Sequence, residues 1–116
     1  MPTTPEAKVK AKVKAALNKH GAYHFSPATG GYGKSGVPDI IACYEGKFIA
    51  IECKAGSNKP TALQEANLEA INQHGGFALL INETNIEVVA ETLQEIAVWA
   101  LRRTSTPDQF SKEKNN

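Results

Sequence analysis

Cysteine is too scarce in this chain to hold it together. Cys43 and Cys53 are the only two in 116 residues. They lack the paired CxxC spacing of a zinc site, so free, partly buried thiols are expected. No apolar run approaches the roughly twenty residues of a membrane span, and the amino terminus carries no secretory apolar segment. Internal repeats and a composition break between domains are also missing. Together these absences exclude a disulfide scaffold, a zinc module, a membrane helix and a repeat array. With 41% hydrophobic residues there is material for one core and no more. The expectation is a single domain over residues 1–103, cytoplasmic and of phage or bacterial origin. Residues 104–116, rich in Ser, Thr, Asp, Gln, Lys and Asn, are expected to form a disordered tail.

Acidic residues are scarce in one half only. Residues 1–59 hold nine lysines against four carboxylates, whereas residues 60–116 hold four basic residues against eight acids. A net charge of +1 conceals that asymmetry. A basic half fits a polyanionic partner, and a solvated lysine-rich helix would look similar.

Inside that half lies GVPDIIACYEGKFIAIECK, residues 36–54. Ile40–Tyr44 and Phe48–Ile51 are short, β-branched apolar runs flanking Glu45-Gly46, the pattern of a hairpin with a two-residue loop. That register places Tyr44 opposite Lys47, Ile41 opposite Ala50 and Asp39 opposite Glu52. Lys54, two residues beyond Glu52, joins the same face at the end away from the turn. Two carboxylates about 5 Å apart repel by roughly 3 kcal/mol at an effective dielectric of 20. A divalent cation relieves this with oxygen ligation, and Lys54 alone also does so.

Pro38-Asp39 followed by Glu52-Cys53-Lys54 resembles the PD-(D/E)xK signature of the restriction-endonuclease-like nucleases. GVPD with IECK in so short a chain is similar to the VRR-NUC branch, over about Pro5 to Asn82. The resemblance implies a restriction-endonuclease-like αβββαβ core, a small mixed sheet flanked by helices, with a further C-terminal helix. It implies metal-dependent hydrolysis of nucleic-acid phosphodiesters, with DNA structure, such as a flap or a Holliday junction, a stronger determinant than sequence. Asp39 and Glu52 would hold Mg²⁺ or Mn²⁺, with the Cys53 carbonyl as a further ligand, and Lys54 would orient or deprotonate the attacking water. The alternative is a catalytically silent nucleic-acid-binding module on the same fold.

The rest of the chain fits around the hairpin. Thr3-Thr4-Pro5-Glu6 opens a helix that runs to about His20 and stops at Gly21. Val9, Val13, Ala16 and Leu17 form its apolar stripe, flanked by Lys8, Lys12 and Lys19 on one side and Lys10 and Lys14 on the other. Glu6 has two readings: local capping, or the first-helix glutamate that the resemblance implies at the metal site. Tyr23–Phe25 reads as a short strand. Residues 26–36 are too rich in glycine for regular structure. Their phosphate-loop and GxGxxG look-alikes are excluded, because Gly36 and Pro38 break the helix such loops require. Tyr32 and Lys34 in this loop suit contacts to a nucleic-acid backbone, as do Lys10, Lys14 and Lys59.

Thr61-Ala62-Leu63-Gln64 is a capping box opening a second helix, with Leu63, Ala66, Ala70 and Ile71 as its apolar side. Gln64 is explained by capping, while the resemblance implies a glutamine near metal-bound phosphate or water. Phe77–Ile81 reads as a strand buried on both faces. A last helix, from about 86 to 103, has a main apolar face of Val89, Leu93, Ile96, Ala97, Ala100 and Leu101. Val88 and Trp99 form a second stripe, expected to be the interface of a homodimer that presents two metal sites to a twofold DNA junction.

Overall fold

The computed structural model describes residues 3–28 and 35–103. Tyr32, Lys34 and the expected tail at 104–116 lie outside the described residues.

The first helix, α1, spans Pro5–Lys19. Thr4 caps it by accepting from the Ala7 N–H, and Pro5 occupies the first turn, where its missing N–H costs nothing. Val9, Val13 and Leu17, spaced at three- and four-residue intervals, are buried as the stripe predicts. Gly21 then turns the chain with φ +75.

Four strands follow in the order β1-β2-β3-β4: β1 Tyr23–Phe25, β2 Ile40–Tyr44, β3 Lys47–Cys53 and β4 Phe77–Ile81. The first two pairings are antiparallel and the third is parallel. The hairpin register is the one expected from Ile40 to Ile51, with Tyr44 opposite Lys47 and Ile41 opposite Ala50, but the ladder stops there and the expected Asp39–Glu52 pair is not part of it. Both loop residues have positive φ, 49 for Glu45 and 79 for Gly46, which matches the twist that a two-residue hairpin loop demands. Between β3 and β4 the chain crosses through α2, Ala62–Gln73, and after β4 comes α3, Glu87–Arg103.

Alternation along the strands sorts the sheet into two faces. One carries Ile40, Ala42, Ile49, Ile51, Cys53 and Ile81 and packs with Val9, Val13 and Leu17 of α1 and Val89, Leu93 and Ile96 of α3 into the core. The other carries Tyr23, Phe25, Phe48, Ala50, Glu52 and Leu80 and is covered in part by α2. This second face departs from expectation. Only Ile81 of β4 is fully buried, Leu80 is 45% exposed, and α2 buries none of its residues. The reason is that β4 is the last strand of the sheet and one short helix is too narrow to roof that side. Leu101, expected on the buried face of α3, is 71% exposed near the helix end.

Trp99 does not stand alone on its stripe. Lys47 Nζ lies 4.0 Å from the indole centroid and the Arg103 guanidinium carbon 4.6 Å from it, a cation stacked over the ring from each of two elements. Lys47 begins β3 at the hairpin turn, so this cluster sits at the opposite end of the sheet from Asp39. Among the described residues no helix is long and apolar enough to cross a membrane.

Candidate active site

The hairpin ladder ends one residue after Asp39, and this termination aims the Asp39 carboxylate. Instead of continuing the ladder, the chain bends there, and Asp39 Oδ2 accepts the Cys53 N–H at 2.8 Å. A charged acceptor on a backbone donor at the strand end fixes one oxygen and leaves Oδ1 outside that bond. Lys10 Nζ of α1 approaches that second oxygen at 3.5 Å and Glu6 Oε2 at 3.9 Å.

Glu52 is carried into the sheet by β3. Its side chain is only 2% exposed. Oε2 pairs with Lys54 Nζ at 3.3 Å, which follows from their shared face two residues apart, and the Lys54 backbone N–H is held by the Ile81 carbonyl at 2.9 Å. Oε1 is buried with no hydrogen-bond partner. Burial and the neighbouring Asp39 charge together raise the Glu52 carboxyl above its ordinary range, against the opposing pull of Lys54. A buried carboxylate oxygen without a donor is a costly arrangement in a folded protein.

This donor set suits a hard divalent cation. The unpartnered oxygen of Glu52 on β3 and the Asp39 carboxylate, one residue before β2 at the same sheet end, are oxygen ligands of the kind Mg²⁺ and Mn²⁺ take while keeping waters. Sulfur plays no part: the Cys53 side chain points into the core, and its thiol is pushed up to about 12, chiefly by burial and by Asp39 and Glu52, leaving only the main-chain carbonyl as a candidate ligand. Among the described residues no three His, Cys, Asp or Glu side chains converge as a ready metal cluster. Glu6 meets Asp39 only through Lys10, whose Nζ lies within 4 Å of both carboxylates.

The other sequence candidates are more dispersed. Gln64 is engaged in the capping box, its Oε1 accepting the Thr61 N–H at 2.9 Å while Thr61 Oγ1 accepts the Gln64 N–H at 3.2 Å. Lys14 lies one helical turn beyond Lys10, and Lys59 is exposed in the connection before α2. A groove lined by Pro5, Lys8, Val9, Lys12, Gly56 and Glu83 opens at the same end of the sheet. Two contributions had no signal in the sequence. Glu83 Oε1 accepts the Gly56 N–H at 2.7 Å, pinning the loop after Lys54, and Asn67 Nδ2 donates to the Ser35 carbonyl at 3.1 Å, anchoring the segment that enters Asp39. Both depend on chain segments about thirty residues apart.

The roles of Glu6 and Gln64 separate by substitution. Thr4 rather than Glu6 caps α1, so Glu6→Gln is expected to cost under about 1 kcal/mol in a denaturant melt. Gln64→Ala loses its half of the capping box and is expected to cost about 0.5–1 kcal/mol. A rate loss beyond tenfold in either variant marks a function beyond capping.

Residues 7–78 match the sequence model of the archaeal Holliday junction resolvases (Hjc). The chain belongs to that family. Members of the resolvase family are nucleases of restriction-endonuclease-like fold, and the matched span runs from α1 to β4. A solved structure described as a VRR_NUC domain is similar to the chain with a TM-score of 0.62 and 19% identity, covering 78% of this chain and 96% of that one. At that identity the likeness concerns the fold, and it agrees with the mixed sheet, flanking helices and C-terminal helix found here. No curated protein matches the chain.

Proposed function

We propose that this resolvase-family chain is a divalent-metal-dependent, structure-selective DNA endonuclease acting on branched or flapped DNA. The observation that carries the reading is Glu52: buried, raised in pKa, one oxygen without a partner, and set beside Asp39 and Lys54. No structural need of the fold explains that arrangement, and a purely binding role would not require it. Asp39, Glu52 and the Cys53 carbonyl would hold Mg²⁺ or Mn²⁺, whose Lewis acidity would supply hydroxide near neutral pH and offset charge on the scissile phosphate. Lys54, held by Glu52 and largely covered, would orient or deprotonate the attacking water and stabilise the growing charge. Lys8 and Lys12 along the adjacent groove, with Lys14 and Lys59, would hold the backbone in register.

The test is cleavage by the purified protein, with EDTA, Mg²⁺ or Mn²⁺, on single-stranded, duplex, flap and four-way-junction DNA. Metal-dependent cutting with a preference of at least tenfold for a branched substrate supports the proposal. Equal activity in EDTA overturns it.

A homodimer suits such a substrate, since a four-way junction is nearly twofold symmetric and each protomer brings one site. With Trp99 already flanked by two cations, the broader apolar surface is the α2 side of the sheet, where Tyr23, Phe25, Phe48, Leu63 and Leu80 are all exposed. Light scattering at micromolar concentration is expected to give a dimer for the wild type and for Trp99→Glu, and a monomer for Leu63→Glu. A dimer that survives Leu63→Glu but not Trp99→Glu returns the interface to α3.

A further inference from the structure

The acidic oxygens at the site differ in what they face. Asp39 Oδ2 is occupied by the Cys53 N–H at 2.8 Å and Glu52 Oε2 by Lys54 at 3.3 Å, while Glu52 Oε1 has none. That leaves Asp39 Oδ1 as the oxygen of Asp39 available to a cation, and it already faces one: Lys10 Nζ at 3.5 Å. Lys54 is set into the site, its side chain 15% exposed, whereas the Lys10 side chain is 36% exposed. Lys10 stands one residue after the buried Val9, so its backbone is fixed on α1 while its long side chain stays partly in solvent. Glu6, at 3.9 Å, offers the same ammonium a second, equally exposed carboxylate one turn earlier.

We propose that Lys10 is an exchangeable counter-ion of the site. In the metal-free protein it neutralises Asp39, and when a divalent cation is held by Asp39 it yields that oxygen and transfers to a nucleic-acid phosphate. Two cations cannot share one carboxylate oxygen without strong repulsion, and a released lysine with a flexible four-carbon stem is suited to a phosphate. The consequence is reciprocal coupling: metal binding frees a phosphate contact, and nucleic acid gives Lys10 a destination that favours metal binding. Lys54 is excluded from this role because its partner is Glu52 and its side chain is largely covered. This inference rests on the metal-dependent reading of the site.

Two measurements without turnover test it. The first is calorimetric titration of Mn²⁺ into the full chain without DNA. Lys10→Met, which keeps the aliphatic stem, is expected to bind Mn²⁺ about tenfold more tightly than the wild type, and Lys19→Met, at the far end of α1, to bind it unchanged. Lys10→Gln provides the same comparison should Lys10→Met fold poorly. The second is fluorescence anisotropy with a four-way DNA junction in EDTA. Asp39→Asn is expected to tighten binding several-fold by releasing Lys10, and most of that gain should vanish in the Asp39→Asn/Lys10→Met double variant. Equal Mn²⁺ affinities in wild type and Lys10→Met, or an Asp39→Asn gain undiminished without Lys10, overturn the counter-ion role and leave the metal site standing. No Mn²⁺ binding by any of these proteins overturns both the metal site and the role of Lys10.

Discussion

Asp39→Asn, Glu52→Gln and Lys54→Ala are each expected to lower DNA cleavage by a thousandfold or more, an order of magnitude in keeping with removal of a group that stabilises transition-state charge. The three side chains form one unit, so double variants should be scarcely worse than single ones. Stability should behave differently. Glu52 is buried beside Asp39 with an unpartnered oxygen, so its charge opposes folding, while its pairing with Lys54 offsets part of that cost. Glu52→Gln should therefore shift the stability of the metal-free protein by only about 1 kcal/mol in either direction. The pH dependence has a definite sign. The folded protein holds the Glu52 proton more tightly than the unfolded chain, so this group makes the metal-free protein less stable as pH rises from the ordinary carboxylate range through the raised folded value. Glu52→Gln removes that contribution, which chemical denaturation at a series of pH values in EDTA would register. A Glu52→Gln enzyme that cleaves at the wild-type rate would refute the catalytic unit.

Gly36→Ala is expected to be the most damaging substitution outside the three charged residues. Gly36 has φ +75, a region where a side chain costs on the order of 1 kcal/mol. A Cβ there would lie 2.8 Å from the Leu63 carbonyl carbon and 2.9 Å from Asn67 Nδ2. Backbone cannot yield as a side-chain tip can, so the segment would have to leave α2, and with it the bond from Asn67 to Ser35. Asp39 follows only three residues later. The expected outcome is a loss of about 2–3 kcal/mol in stability and a fall in cleavage of at least a hundredfold, since a misplacement near 1 Å suffices for that. Gly46→Ala is the useful comparison. It too has positive φ, 79, but its Cβ would meet nothing within 4 Å, so it should cost only the backbone strain and leave cleavage intact. Similar rates for Gly36→Ala and wild type would show that the contact on α2 does not position Asp39.

Local rules account for much of what the sequence determined alone. The hairpin register follows from a two-residue loop and period-two alternation, and that register brings Asp39, Glu52 and Lys54 to one end of the sheet. Thr4 and Thr61 mark their helices because short polar side chains satisfy the first free N–H groups, and Val9, Val13 and Leu17 name the buried face of α1 by spacing. Such signals lie within a few residues of what they specify. Tertiary structure decided whatever depends on distant segments meeting. The exposure of Leu63 and Leu80 reflects how much of the sheet one short helix can roof, which apolar content does not encode. The cations over Trp99 come from the end of its own helix and from the hairpin turn. Lys10, read from its helical flank as a phosphate contact, faces Asp39 because α1 crosses the sheet end where β2 begins, and the difference is one of helix placement rather than residue type.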